Sequence, residues 1–196
     1  KLSAALSSAE RFAAIEGFRE RGLLLIGTIH RESGNEGRCL EAWQELVQLN
    51  PDAEGLQLPP DEFLCEYGYV LLQNGNSDRA IEALRQSLSV KADSDCESFL
   101  GDALLQTGDG DAAQAAWQRA VDLNPGNVPA REALARQSLR EREPDAALEW
   151  LMPLKTLSSL RSSTAYLFQR AYAQSGDEQQ AVDWKQRHAG VSRVEL

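Results

Sequence analysis

The chain has 196 residues, of which 42% are hydrophobic, enough for one sizeable core or one continuous array. Its 30 acidic residues outnumber its 20 basic residues, and no Lys/Arg-rich run occurs, which argues against a nucleic-acid-binding protein because that function needs a basic surface. No apolar stretch approaches the roughly 18 residues that a membrane span requires. Ala, Leu, Glu, Gln and Arg dominate, so the composition predicts helices.

The three cysteines, Cys39, Cys65 and Cys96, are odd in number and widely spaced, which does not suggest a disulfide framework. We interpret them as small packing residues, and this leaves the location open with the cytoplasm slightly favoured. The sequence starts at Lys1 and not at Met, which we interpret as an excerpt of a longer chain.

The first 19 residues predict an amphipathic helix. Phe12, Ile15 and Phe18 recur at a spacing of three, with alanines around them. This segment either caps a following repeat array or is the remnant of an upstream repeat.

A pattern then recurs along the chain. An apolar residue is followed by a glycine and, seven residues later, by a second glycine. Five residues beyond the second glycine stands a small residue, and four further on stands a bulky one. The glycine pairs are Gly27 and Gly34, Gly68 and Gly75, and Gly101 and Gly108; the small residues are Cys39, Ala80 and Ala113, and the bulky ones Trp43, Leu84 and Trp117.

The period of this pattern is close to 34 residues. Gly68 and Gly101 are 33 residues apart, while Gly27 and Gly68 are 41 apart, which fits an insertion of seven at 54–60. A fourth copy lacks both glycines, and in a fifth copy Trp184 stands one residue earlier than the pattern expects.

This period and these residues resemble the tetratricopeptide repeat family. The resemblance implies an all-α fold, a right-handed superhelix (solenoid) of about five helix-turn-helix repeats preceded by the N-terminal helix. We expect a single helical repeat domain over 1–196, with 1–19 as the capping helix or remnant and repeats near 20–53, 61–93, 94–127, 128–161 and 162–190.

Helix packing in each repeat follows from residue size. We expect the first glycine to meet the small residue of the second helix, as Gly68 would meet Ala80, and the bulky residues to pack against the next repeat. The second glycine should take a left-handed conformation after the first helix. Pro153 falls inside a second helix and should kink it.

In the resembled family, the first helix of each repeat lines a concave groove that takes peptides. Leu24 and Thr28 stand where chaperone-binding members carry a carboxylate-clamping Lys and Asn, which argues against that ligand. Acidic residues dominate the middle copies and arginines the later ones, so a peptide with one basic and one acidic end is our hypothesis, unless these charges only solvate an open surface. The candidate groove residues are Thr28, Tyr69, Asp102, Arg136, Arg140, Tyr166 and Arg170.

The sequence predicts a protein–protein interaction scaffold and no catalytic residue. The alternative is a structural segment of a larger multidomain protein that self-associates through its end repeats. No phosphate-binding loop occurs, and the separations of His30 and the three cysteines match no common zinc spacing, so neither a cofactor nor a metal is expected. The expected partner is a protein or peptide and not nucleic acid, no membrane span is expected, and a homo-oligomer through the end repeats is possible.

Overall fold

The computed structural model describes residues 2–157 and 160–191, with the side chains of 188–191 left aside. Throughout that part the regular structure is helical, which confirms the predicted all-α class. The α-helices are α1 (Leu2–Ala13), α2 (Arg19–Glu32), α3 (Glu36–Leu49), α4 (Pro60–Gln73), α5 (Ser77–Val90), α6 (Ser94–Gln106), α7 (Gly110–Leu123), α8 (Val128–Arg140), α9 (Pro144–Leu151), α10 (Ser162–Ser175) and α11 (Glu178–Val191).

The helices after α1 follow one another as five pairs, α2/α3 to α10/α11, each pair joined by a short turn. This is the helix-turn-helix repetition that the resemblance implies. Two compact units divide the chain, unit 1 being Lys1–Ala113 and unit 2 Gln114–Leu196. The expectation of one continuous domain over 1–196 stays a prediction.

The turns within the pairs are set by left-handed residues. Gly34, Gly75, Gly108 and Gly176 have φ between +73° and +91°, a region that only glycine adopts without steric cost. The expected left-handed conformation of the second glycine is therefore confirmed. In the fourth pair, which lacks the glycine, Arg142 takes that place with φ +63°.

The crossing of the two helices differs from the expected one. A Cβ built on Gly68 would lie 2.6 Å from Cγ of Leu84, and a Cβ built on Gly27 would collide with the indole of Trp43. The prediction that Gly68 meets Ala80 was therefore wrong. The glycine makes room for the bulky residue one turn further along the second helix, because a large side chain needs more space than a small one.

Trp43 also shows how neighbouring pairs join in unit 1. Its indole Nε1 donates a hydrogen bond to the carbonyl of Leu24, 3.3 Å away in its own pair. Its ring meets Phe63 of the next pair edge-on, with centroids 5.5 Å apart. The expected packing of this bulky residue on the next repeat is confirmed, although it fills its own repeat as well.

Helix α1 packs on α2, as the amphipathic pattern predicts. The rings of Phe12 and Phe18 lie 4.9 Å apart, and Gly22 faces Ala13 so closely that a side chain on Gly22 would collide with it. Both interpretations of this helix, a cap and an upstream remnant, stay open.

The fourth pair is shortened by Pro153. Helix α9 ends at Leu151 and continues as a 3₁₀ helix, Met152–Thr156, so the chain changes helix type where a kink was expected. Proline lacks the N–H that an α-helix needs and its ring clashes with the preceding turn, which accounts for the end of α9.

Unit 2 has a core between its last helices. Phe168 and Trp184 stack with centroids 4.1 Å apart, and both are almost completely buried. The displacement of Trp184 by one residue from the repeat pattern therefore does not keep it out of the core.

Candidate functional site on the first helices

A cleft of about 490 Å³ opens in unit 1. Helix α4 contributes Glu62, Cys65, Glu66 and Tyr69 to its lining, all within two turns of one face. A volume of this size is typical of ligand-binding clefts, which span roughly 300–1,000 Å³. The cleft lies along the first helices of the second and third repeats.

The neighbouring elements add four charged residues to the lining, two cations and two carboxylates. Arg31 comes from α2, Lys91 follows α5, and Asp93 and Asp95 stand at the start of α6. With Asp61, Glu62 and Glu66, five carboxylates face two cations, and five minus two leaves a net charge of −3.

Some of these charges are already engaged. Arg31 forms an ion pair with Glu66, and the Lys91 ammonium lies 3.9 Å from the Asp61 carboxylate. Asp93 caps helix α6, accepting hydrogen bonds of 2.9 Å from the backbone N–H groups of Asp95 and Cys96. Both of these bonds go to the same carboxylate oxygen, Oδ1.

Two aromatic rings close one side of the cleft. The centroids of Tyr69 on α4 and Phe99 on α6 lie 4.6 Å apart, with the ring planes tilted by 41°. Both side chains are half-buried, so parts of their faces and edges stay accessible. Half-buried aromatic side chains are common anchors in protein interfaces.

The cysteines have the packing role expected of them at two positions. Cys39 and Cys96 are completely buried, whereas Cys65 lies in the cleft lining. A hydrogen bond between the thiols of Cys65 and Cys96, together with burial, raises the pKa of Cys65, so this wall of the cleft is uncharged at neutral pH. In the described part of the chain, no three His, Cys, Asp or Glu side chains are grouped so that they could hold a metal ion.

Of the three groove residues predicted in unit 1, Tyr69 lines the cleft. The Thr28 hydroxyl donates a hydrogen bond of 2.9 Å to the Leu24 carbonyl of its own helix, and Thr28 lies outside the cleft lining. Asp102 is half-buried on α6, two turns beyond Asp95, and also lies outside that lining.

In unit 2 the predicted arginines have different environments. Arg136 on α8 is held 3.1 Å from Glu132, whose carboxylate is buried and also accepts hydrogen bonds from Ser163 (2.8 Å) and Thr164. This network joins α8 to the start of α10. Arg136 is therefore tied to a structural carboxylate, which its position on the first helix did not reveal.

The other three predicted residues of unit 2 are at least partly accessible. Arg140 is exposed at the end of α8. Tyr166 on α10 is 45% exposed, and the guanidinium of Arg170 lies 5.9 Å from its ring centroid. An exposed ring with a guanidinium over it offers a partner both an apolar face and a cation.

Sequence reasoning missed Asp61, Asp93 and Phe99 as lining residues. The signal available for Phe99 was its spacing, because it stands four residues after Asp95 and so shares a helix face with it. Asp61 and Asp93 stand at helix starts, where acids are expected for local reasons, so nothing in the sequence distinguished them.

Two family models, both described as tetratricopeptide repeat, match residues 61–94 and 100–151. These matches cover the second repeat and most of the third and fourth, whose paired helices the structure shows. Residues 61–94 and 100–151 belong to the tetratricopeptide repeat family. Tetratricopeptide repeats form protein–protein interaction scaffolds, and the family indicates a non-catalytic module.

Solved structures share this tetratricopeptide fold. PilW, a widely conserved type IV pilus biogenesis factor, matches with a TM-score of 0.78 over 100% of this chain and 91% of its own, at 16% identity. MamA (41-end) from Desulfovibrio magneticus RS-1 matches with a TM-score of 0.68 over 78% and 83%, at 21% identity. YrrB, described as a TPR protein with an unusual peptide-binding site, matches with a TM-score of 0.63 over 97% and 91%, at 16% identity.

At these identities the likeness concerns the fold alone. No curated protein matches the chain. Among the described helices, none combines the length and the apolar character that crossing a membrane requires.

Proposed function

We propose that this tetratricopeptide-repeat chain binds a segment of a partner protein on the first helices of its repeats. The observation that carries the proposal is the cleft of about 490 Å³ along α4 and α6, with Tyr69 and Phe99 on one side. The description of YrrB as a protein with a peptide-binding site supports the idea that this fold can hold a peptide.

The contact residues that we propose are those predicted groove residues whose side chains are at least partly accessible. Tyr69 in unit 1 and Arg140, Tyr166 and Arg170 in unit 2 are accessible and carry aromatic or cationic groups suited to peptide contact. Arg136 acts mainly through the Glu132 network. We propose that unit 2 receives acidic side chains of the partner, because arginine forks pair with carboxylates.

A random peptide library displayed on phage tests the proposal without a known partner. Peptides enriched on the wild type would be synthesised and their dissociation constants measured by fluorescence polarisation. We expect Tyr69→Ala, or the double variant Arg140→Glu/Arg170→Glu, to weaken them roughly tenfold or more, which corresponds to the loss of one good contact.

Arg85→Glu provides the matched control, because Arg85 is an exposed arginine on the second helix α5. It should leave the dissociation constants unchanged. Peptides that bind equally well to every first-helix variant would contradict the proposed surface. If no peptide is enriched, and light scattering shows a mass that grows with concentration, the self-associating structural role is the better account.

A further inference from the structure

The cleft of unit 1 has a chemistry that selects among partner side chains. Its lining carries a net charge of −3, so anionic side chains are repelled and cationic ones attracted. Two exposed carboxylates of this lining stand on the same helices as the aromatic rings, Glu62 on α4 and Asp95 on α6. Tyr69 and Phe99 add ring surfaces in the same cleft.

Arg31 of the lining is held by a carboxylate of the cleft and by a buried ring that lies outside the lining. Arg31, in the same lining, is ion-paired with Glu66, and its guanidinium lies 5.8 Å from the centroid of the Trp43 ring. A carboxylate and an aromatic ring are thus the two groups that hold this guanidinium. The lining holds further residues of the same two kinds, namely the carboxylates of Glu62 and Asp95 and the rings of Tyr69 and Phe99.

We propose that the cleft binds an arginine side chain of the partner segment, with its guanidinium paired to Glu62 and Asp95 and its plane against Tyr69 or Phe99. This inference rests on the proposed function and specifies the chemistry of the partner. Arginine fits better than lysine, because its planar fork pairs with carboxylates at two atoms and stacks on aromatic faces, whereas an ammonium is a strongly hydrated point charge.

The volume of the cleft fits more than one side chain. About 490 Å³ exceeds the space of one arginine, so the partner's backbone and a neighbouring residue enter with it. The uncharged wall at Cys65 and the half-buried Leu58 suit that neighbouring residue if it is small or apolar.

The experiment uses short peptides that differ at one position. Acetylated, amidated Gly-Ser-Arg-Ser-Gly would be titrated into ¹⁵N-labelled protein, beside the same peptide with citrulline, lysine or glutamate in place of arginine. Citrulline keeps the shape of arginine and removes its charge. We expect the arginine peptide to shift the amide signals of Tyr69 and Phe99 and to bind roughly tenfold more tightly than the citrulline peptide.

Neutralising the two carboxylates tests the assignment on the protein side. Glu62→Gln/Asp95→Asn should weaken the arginine peptide roughly tenfold. Glu41→Gln/Glu82→Gln makes the same change in net charge at exposed positions of the second helices α3 and α5, and should leave the affinity unchanged. Circular dichroism of both double variants confirms that they fold.

Equal binding of the arginine and citrulline peptides would overturn the inference, as would an unchanged affinity in the Glu62/Asp95 variant. A lysine peptide that binds as tightly as the arginine peptide would overturn the choice of a guanidinium. The peptide library distinguishes a failure of this inference from a failure of the proposed function. Peptides that bind the first helices without a selected arginine contradict only this inference, whereas a library with no binder contradicts the proposed function as well.

Discussion

The first helices of the two units use charged side chains in opposite ways. In unit 1, Glu62 and Asp95 are exposed in the lining of an open cleft. In unit 2, the Glu132 carboxylate is buried and accepts hydrogen bonds from two hydroxyl groups of the next first helix, α10. The same repeat geometry therefore places carboxylates in an open cleft in one unit and in a structural joint in the other.

Burial accounts for the difference. A carboxylate that loses its water is stable only if hydrogen bonds and a cation replace it, as Ser163, Thr164 and Arg136 do for Glu132. Once those bonds are made, the group is no longer available to a partner. An exposed carboxylate such as Glu62 keeps its contact with water.

Replacing Glu132 with alanine should give the largest effect. It leaves the hydroxyls of Ser163 and Thr164 without their buried acceptor, so we expect the free energy of unfolding to fall by about 2–4 kcal/mol. Urea denaturation followed by circular dichroism measures this. Glu149→Ala, at an exposed position of α9, is the control and should change stability by less than about 0.5 kcal/mol. Equal effects of the two variants would mean that the Glu132 network is not a structural joint.

Alkaline pH should reveal a buried titratable group of unit 1. Burial raises the pKa of the Cys39 thiol from its ordinary value near 9 to about 11. Because the folded-state pKa is the higher one, the neutral thiol contributes fully to stability below pH 9, and that contribution is lost as pH rises towards 11. The wild type should lose about 2–3 kcal/mol from this group across that window.

Cys39→Ala provides the comparison, because alanine occupies the same repeat position at Ala80 and Ala113. Unfolding free energies measured at pH 8 and pH 10.5 should fall less in the variant than in the wild type. If both proteins lose the same amount, the thiol does not contribute to the alkaline sensitivity.

The smallest effect concerns the turn of the fourth repeat. Arg142 is left-handed, with φ +63°, where the turns of the other four pairs have glycine. Arg142→Gly removes the steric cost of the left-handed conformation but raises the conformational entropy of the unfolded chain. We therefore expect the free energy of unfolding to rise by about 0.5–1 kcal/mol. Arg85→Gly makes the same substitution at an exposed position in the interior of helix α5 and should lower stability by a similar amount. A gain for both, measured by thermal unfolding, would contradict the explanation from backbone strain.

Much of the fold was predictable because it depends on local patterns. The recurrence of the two glycines, the small residue and the bulky residue located the helix pairs, and the second glycine located the left-handed turns. The predicted contact partner of the first glycine was wrong. Spacing in the sequence identifies a helix face, but it does not tell which of two adjacent turns on that face contacts the glycine. Pro153 was recognised as a disturbance, while its outcome, a 3₁₀ helix, depended on how the following residues pack.

For the candidate site, too, the sequence determined the local patterns and the tertiary structure decided the long-range contacts. Sequence by itself determined that this is an acidic all-α repeat protein whose first helices carry acids early and arginines late, because periodicity and charge are properties of the chain. Only the tertiary structure decided which of those charges face solvent. It placed Phe99 beside Tyr69 and enclosed Glu132 with Ser163 and Thr164, because contacts between residues about 30 positions apart depend on how successive repeats pack.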